Sequence, residues 1–149
     1  MYKQVKVILF TNYLIIKIFI MNNLEILKQG YKAFAAGNVE AAIANWSDDI
    51  VWEECIGLPF VKGDGKYHGK QSVVQDILGP IPEIYDNFSI EISDFVDGGD
   101  RIVMVGHYAG TWKATGKKFK ANATHTWSFK NGKATHFIQA VDTATIINP

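Results

Sequence analysis

The last third of the chain reads as long runs of alternating residues joined by tight turns. After Asp97-Gly98-Gly99-Asp100 comes RIVMVGHYAGTW. KATGKK then turns the chain into FKANATHTWSF, and Asn131-Gly132 leads into KATHFIQAVD. Asn-Gly between apolar runs is a strong two-residue hairpin signal. Neighbouring long strands joined this way form an antiparallel meander. Phe88, Ile90 and Ile92 alternate with Ser89, Glu91 and Ser93, the period-two mark of a half-buried strand with those three apolar residues inward.

The preceding segment has a different period. Leu24, Leu27, Tyr31 and Phe34 recur every three or four residues, one face of an amphipathic helix. Asn22 with Glu25 forms a capping-box-like start, and Gly37 suits the helix end. Asn38 can cap a second short helix bearing Val39, Ala42, Ile43 and Trp46. A third helix fits Lys70 to Leu78, with Gly79 and Pro80 as its stop. A short apolar strand fits Ile50 to Cys55. Helices segregated from strands define the α+β class. The segment from Glu54 to Lys70 carries four glycines and a proline and is read as a loop, a lid at the mouth of a pocket.

A chain of 149 residues suits one domain, able to bury a core without disulfides or metal. Residues 1–20 stand apart. They are rich in Ile, Val, Leu and Phe behind Lys3 and Lys6, but Thr11, Asn12 and Lys17 interrupt the apolar run. The run falls short of the roughly 18 apolar residues that a membrane span needs. Residues 1–21 are therefore read as an N-terminal extension ahead of the functional chain, with a membrane-directing leader as the alternative. A domain is expected over 22–145 and a tail over 146–149. No stable membrane insertion is expected, and the cytoplasm is the expected compartment. A formal net charge of +0 and the lack of Lys/Arg runs argue against nucleic acid as a partner. Cys55, the single cysteine, is read as a small semi-buried hydrophobe. No CxxC or HExxH pairing suggests a metal site.

Two side chains stand out as candidates for chemistry. Alternation puts Ile50, Trp52 and Glu54 on one strand face, leaving Glu54 beside a tryptophan on an otherwise apolar surface. A desolvated carboxyl holds its proton more tightly, which suits a general acid or base near neutral pH. The competing reading, a solvated glutamate at a strand end, is the one the pattern alone favours. His125 shares a face with Ala123, Trp127 and Phe129. It suits either a hydrogen-bond donor to a substrate oxygen or a core histidine bonded to a carbonyl. His107 can face either way, and His136 points away from the His125 face. Trp52, Trp112, Trp127, Tyr108, Phe129 and Phe137 supply aromatic surface for a pocket or for an ordinary core.

In order along the chain, YKAFAAGN, NWSDDIVWEE, GKYHGKQSVV, GDRIVMVGHYAGTWKATGKKF, ATHTWSFKNGKATHF and VDTA resemble the SnoaL-like family of polyketide cyclases and ketosteroid-isomerase-related proteins. That family lies within the nuclear transport factor two-like superfamily. The resemblance covers about residues 22–145. It implies a cone, a curved antiparallel sheet packed on three N-terminal helices around a pocket, and homodimers formed through the outer sheet face. It also implies acid/base chemistry without a cofactor on a small apolar carbonyl compound, of isomerase, cyclase or lyase type. In ketosteroid isomerase, burial and neighbouring groups tune a carboxylate base, with a tyrosine and a protonated carboxylic acid as oxyanion donors. Carried over, the base position falls on Glu54 and the acid donor position on His125. The tyrosine position falls on Gly30, with Tyr31 one residue off, so that donor is expected to be absent or altered. Trp52, Trp127, Phe129, Phe137, Gln139 and Val141 would line the pocket, and His107 and Tyr31 are counted with them as substrate-binding residues. Two other readings stand beside this one: a binding module for a small hydrophobic ligand, and a dimeric interaction domain with a vestigial pocket.

Overall fold

The computed structural model describes residues 22–149, so the readings made for residues 1–20 fall outside the described residues. Helix α1 runs Asn23–Ala35, and the Asn22 side chain caps it by accepting from the Glu25 N–H at 2.8 Å. Helix α2, Val39–Ile43, is capped in the same way by Asn38. Gly30 lets the two helices meet closely, since a Cβ there would lie 3.3 Å from the Ala42 carbonyl oxygen.

Six strands follow: β1 Trp46–Glu53, β2 Lys66–His68, β3 Tyr85–Asp97, β4 Arg101–Trp112, β5 Lys118–Lys130 and β6 Lys133–Val141. They form one sheet in the order β2-β1-β6-β5-β4-β3. β1 runs parallel to β6, and every other pairing is antiparallel. Register shifts in the β1–β6, β3–β4 and β5–β6 pairings are the irregularities that bend and twist a sheet. The concave face is apolar. Along β5, Phe119, Ala121, Ala123, His125, Trp127 and Phe129 are all buried, and the residues between them are more open.

Four local readings need correction. The helix expected over Lys70 to Leu78 is α3, Lys70–Val73, followed by a π-helical turn, Val74–Leu78. Gly79 does not stop it. Its φ and ψ are helical, and Pro80 opens α4, Pro80–Ile84, because a first-turn proline loses no helical hydrogen bond. Ile92, expected inward, is 38% exposed. The irregularity between Ile92 and Asp94 shifts the phase of β3, so Phe95 packs on the core instead. The segment read as a loop contains β2, paired with β1, and Leu58 is buried there. Residues 146–149 are not simply a tail: α5, Thr143–Ile147, is capped by Asp142, and Ile146 is only 2% exposed. Trp112 holds that helix by donating its indole N–H to the Ile146 carbonyl at 2.6 Å.

Among the described residues, no helix is long and apolar enough to cross a membrane.

Candidate active site

Register places the two candidates on one row. On β6, Gln139 pairs with His125 of β5, and Ile138 pairs with Glu53 of β1. One step further brings Glu54 level with Gln139. Burial of Ile50, Trp52 and Glu54, alternating with more open Val51 and Glu53, puts the Glu54 side chain on the concave face. Glu54, Gln139 and His125 therefore form a polar line across an apolar sheet. All three line one cavity beneath the helices.

Glu54 is 8% exposed. The Trp52 indole N–H donates to its Oε1 at 2.6 Å, while Oε2 has no hydrogen-bond partner among the described residues. Desolvation pushes the carboxyl up to about 7, against the Trp52 hydrogen bond and the neighbouring Gln139 amide, which act to lower it. The Glu54 N–H is held by the Gly65 carbonyl at 2.8 Å, which anchors the strand end to the following segment.

His125 is clasped by two tyrosines. The Tyr31 hydroxyl lies 2.6 Å from Nδ1 and the Tyr108 hydroxyl 2.5 Å from Nε2. Each hydroxyl oxygen also accepts a bond from elsewhere: Trp127 Nε1–H donates to Tyr31 at 2.9 Å, and Gln139 Nε2–H donates to Tyr108 at 3.0 Å. The Gln139 amide is oriented in turn by the Cys55 N–H, which donates to its Oε1 at 3.3 Å.

Burial drops the His125 pKa to about 3, so the ring is neutral and carries one N–H. Burial raises both tyrosines well above their ordinary range, and the nearby Glu54 charge adds to this at Tyr108. The three groups thus hold three hydrogens between them, two O–H and one N–H. The two tyrosine–histidine contacts use two. One hydroxyl hydrogen is left to donate elsewhere. It belongs to Tyr108 when His125 carries its proton on Nε2, and to Tyr31 when the proton is on Nδ1.

The cavity brings together Trp52, Trp127, Phe129, Phe137, Gln139 and Tyr31 from the sequence reading, with Glu54 and His125. Two assigned residues lie outside it. His107 falls on the other face of β4, between buried Gly106 and Tyr108. Val141 packs in the neighbouring cluster with Ile146 but does not line the cavity. Of the two alternatives for the tyrosine position, absent or altered, the structure has an altered one. Gly30 is spent on helix packing, while Tyr31 sends its hydroxyl to His125. Tyr108 was read only as aromatic surface, although alternation from Ile102 and Met104 already puts it on the concave face. Among the described residues, no group of three or more His, Cys, Asp or Glu is placed to hold a metal ion.

Comparison with known proteins agrees with this architecture. A family model described as SnoaL-like domain matches residues 27–137. No curated protein matches the chain. An NTF2-like protein from Burkholderia thailandensis E264 superposes with a TM-score of 0.80 at 28% identity, covering 86% of this chain and 96% of that one. TerC, co-crystallised with polyporic acid, superposes at 0.74 with 22% identity, over 84% and 95% of the two chains. A protein from Shewanella denitrificans OS-217 described as a SnoaL-like polyketide cyclase gives 0.69 at 18% identity, over 85% and 94%.

Proposed function

The chain belongs to the SnoaL-like domain family, and from that premise we propose that it is a cofactor-free acid/base enzyme acting on a small apolar carbonyl compound. The observation that carries this reading is the free oxygen of Glu54. A buried carboxyl with a pKa of about 7 and an unpartnered Oε2, on a residue that lines an aromatic cavity, has the properties of a base working near neutral pH.

In the proposed step, Glu54 Oε2 takes a proton from the carbon beside the substrate carbonyl. The electron pair of that C–H bond moves into the carbonyl group, and its oxygen becomes an enolate. The spare hydroxyl hydrogen of the Tyr31–His125–Tyr108 set then donates to that oxygen. Both ring nitrogens of His125 are engaged by tyrosines, so His125 positions the donors and does not itself reach the substrate. Return of the proton from Glu54 to another carbon completes an isomerisation. Attack of the enolate carbon on a second carbonyl, whose oxygen becomes an alkoxide and takes the proton back from Glu54, completes a cyclisation. The fold neighbour described as a polyketide cyclase is compatible with this class of chemistry.

The direct test is α-proton exchange of 1-tetralone in heavy water, followed by NMR. The wild-type chain should exchange these protons faster than buffer, and Glu54→Gln should not. Equal rates would remove Glu54 as the base.

We also propose that the protein is a homodimer joined through the convex sheet face. Val96 and Val103 pair there, and Val96 and Val105 are exposed at 58% and 37%. Sedimentation equilibrium should give twice the chain mass, and Val105→Lys should halve it.

A further inference from the structure

Among the described residues, only two buried side-chain oxygens or nitrogens lack a hydrogen-bond partner: Glu54 Oε2 and the Tyr85 hydroxyl. Both residues line the same cavity. The first is the base of the proposed reaction. The second takes no part in it.

Tyr85 sits at the opposite end of the concave face. It opens β3 and pairs with Trp112, four residues along β4 from Tyr108. At the rise of an antiparallel strand those four residues span roughly 13 Å. The Tyr85 ring is 4% exposed and fixed by its neighbours, with centroids 4.9 Å from Trp112, 5.2 Å from Phe119 and 5.9 Å from Phe88. A single ring, Phe88, bridges to Tyr108 at 5.1 Å. Between the two ends the cavity is walled by Phe88, Ile90 and Phe119. Packing alone would be served equally by phenylalanine, so the buried hydroxyl calls for a partner beyond the described residues, and the cavity it shares with Glu54 points to a ligand.

Building on the acid/base reading above, we propose that Tyr85 is a distal anchor that hydrogen-bonds an oxygen at the far end of an elongated substrate. The substrate class is then a rigid, linked- or fused-ring ketone with a hydroxyl or second carbonyl remote from the reacting one. The reactive carbonyl lies by Glu54 and the Tyr108–His125 pair, the ring system packs against Phe88, Ile90 and Phe119, and the remote oxygen meets Tyr85. Burial holds the Tyr85 hydroxyl protonated, with its pKa pushed up to about 12, so it can donate to a ketone or accept from a hydroxyl.

Two probes that differ only at the far end test this: 4-acetylbiphenyl and 4-acetyl-4′-hydroxybiphenyl. Their dissociation constants are measured calorimetrically on the full chain and on Tyr85→Phe, with thermal melting as a folding control. The wild type should favour the hydroxylated probe by about three- to tenfold, the usual worth of one net hydrogen bond. Tyr85→Phe should bring the ratio to about one without lowering the melting temperature, since no hydrogen bond among the described residues is lost. Equal wild-type affinities, a preference retained in Tyr85→Phe, or failure of both probes to bind would overturn the anchor. Deuterium exchange at the acetyl group of the same probes reports on the acid/base reading separately. A Tyr85-dependent preference without exchange would keep the anchor and discard Glu54 as a base.

Discussion

Trp52 donates its indole N–H to one oxygen of Glu54, two residues ahead on the same strand face, and the other oxygen has no partner among the described residues. That single bond orients the carboxyl without offsetting its desolvation, and the pKa rises to about 7. The native state therefore binds a proton that the unfolded chain releases near 4.5. Stability from this group is present below pH 4.5 and is lost as pH rises towards 7. The interval corresponds to roughly 3 kcal/mol. Glu54→Gln, which keeps the acceptor for Trp52, should be more stable than the wild type by about 1–3 kcal/mol at about pH 8 and equal to it at about pH 4. His125 acts in the opposite sense, since its native pKa of about 3 means stability falls as pH drops below about 6.5. Melts of Glu54→Gln should thus show stability rising from about pH 4.5 to about 6.5, where the wild type is flatter. A Glu54→Gln chain less stable than the wild type at about pH 8 would contradict the desolvation argument.

The pH dependence of turnover follows from the same groups. The base must be ionised, so kcat/KM should rise with pH, with a midpoint near 7. No descending limb is expected up to about pH 9. His125 is already neutral, and both clasping tyrosines keep their protons there. A bell-shaped profile below about pH 9 would require a second titrating group in the site.

Removing either clasping hydroxyl should leave a buried group without its partner. Tyr31→Phe strands the Trp127 N–H and His125 Nδ1, and Tyr108→Phe strands the Gln139 N–H and Nε2. Each should cost about 1–3 kcal/mol in denaturant melts. The variant lacking the donating hydroxyl should lose about 10²–10³ in kcat, and the other less. The double variant should lose less than the product of the two, because one histidine links them. Wild-type rates in both single variants would show that neither hydroxyl meets the developing charge.

Gly65 has a φ of +76°, and a Cβ there would stand 2.6 Å from the Glu54 carbonyl oxygen. Gly65→Ala should displace Glu54 and lower kcat by at least about tenfold, since small misplacements of a reacting group are costly. Gly63→Ala is the control, with φ +60° but no atom within 4 Å of the new Cβ. It should lose about 1–2 kcal/mol of stability and keep its rate. Equal losses of kcat in the two variants would mean that backbone strain, and not the position of Glu54, sets the rate.

Much of the architecture was legible because it is local. Alternation marked the concave face of β5, Asn22 and Asn38 marked helix starts, and Asn131-Gly132 marked the β5–β6 turn, where both residues take positive φ. Where an irregularity interrupts the period, as between Ile92 and Asp94, alternation misled, because one extra residue moves every later side chain to the other face.

The candidate site was legible only in pieces. Period two put Glu54 and His125 each on the apolar face of its own strand. It could not put them on one row, because that depends on β1 lying parallel to β6, a pairing of segments far apart in the chain. Nor could helical spacing say where Tyr31 points, since the docking of α1 over the sheet sets that angle. The sequence by itself determined strand phase, turns and caps, all governed by backbone preferences over a few residues. Only the tertiary structure decided which polar groups meet, how deeply Glu54 is desolvated, and that the Tyr85 hydroxyl has no partner among the described residues, because burial and hydrogen bonding are set by neighbours distant in the chain.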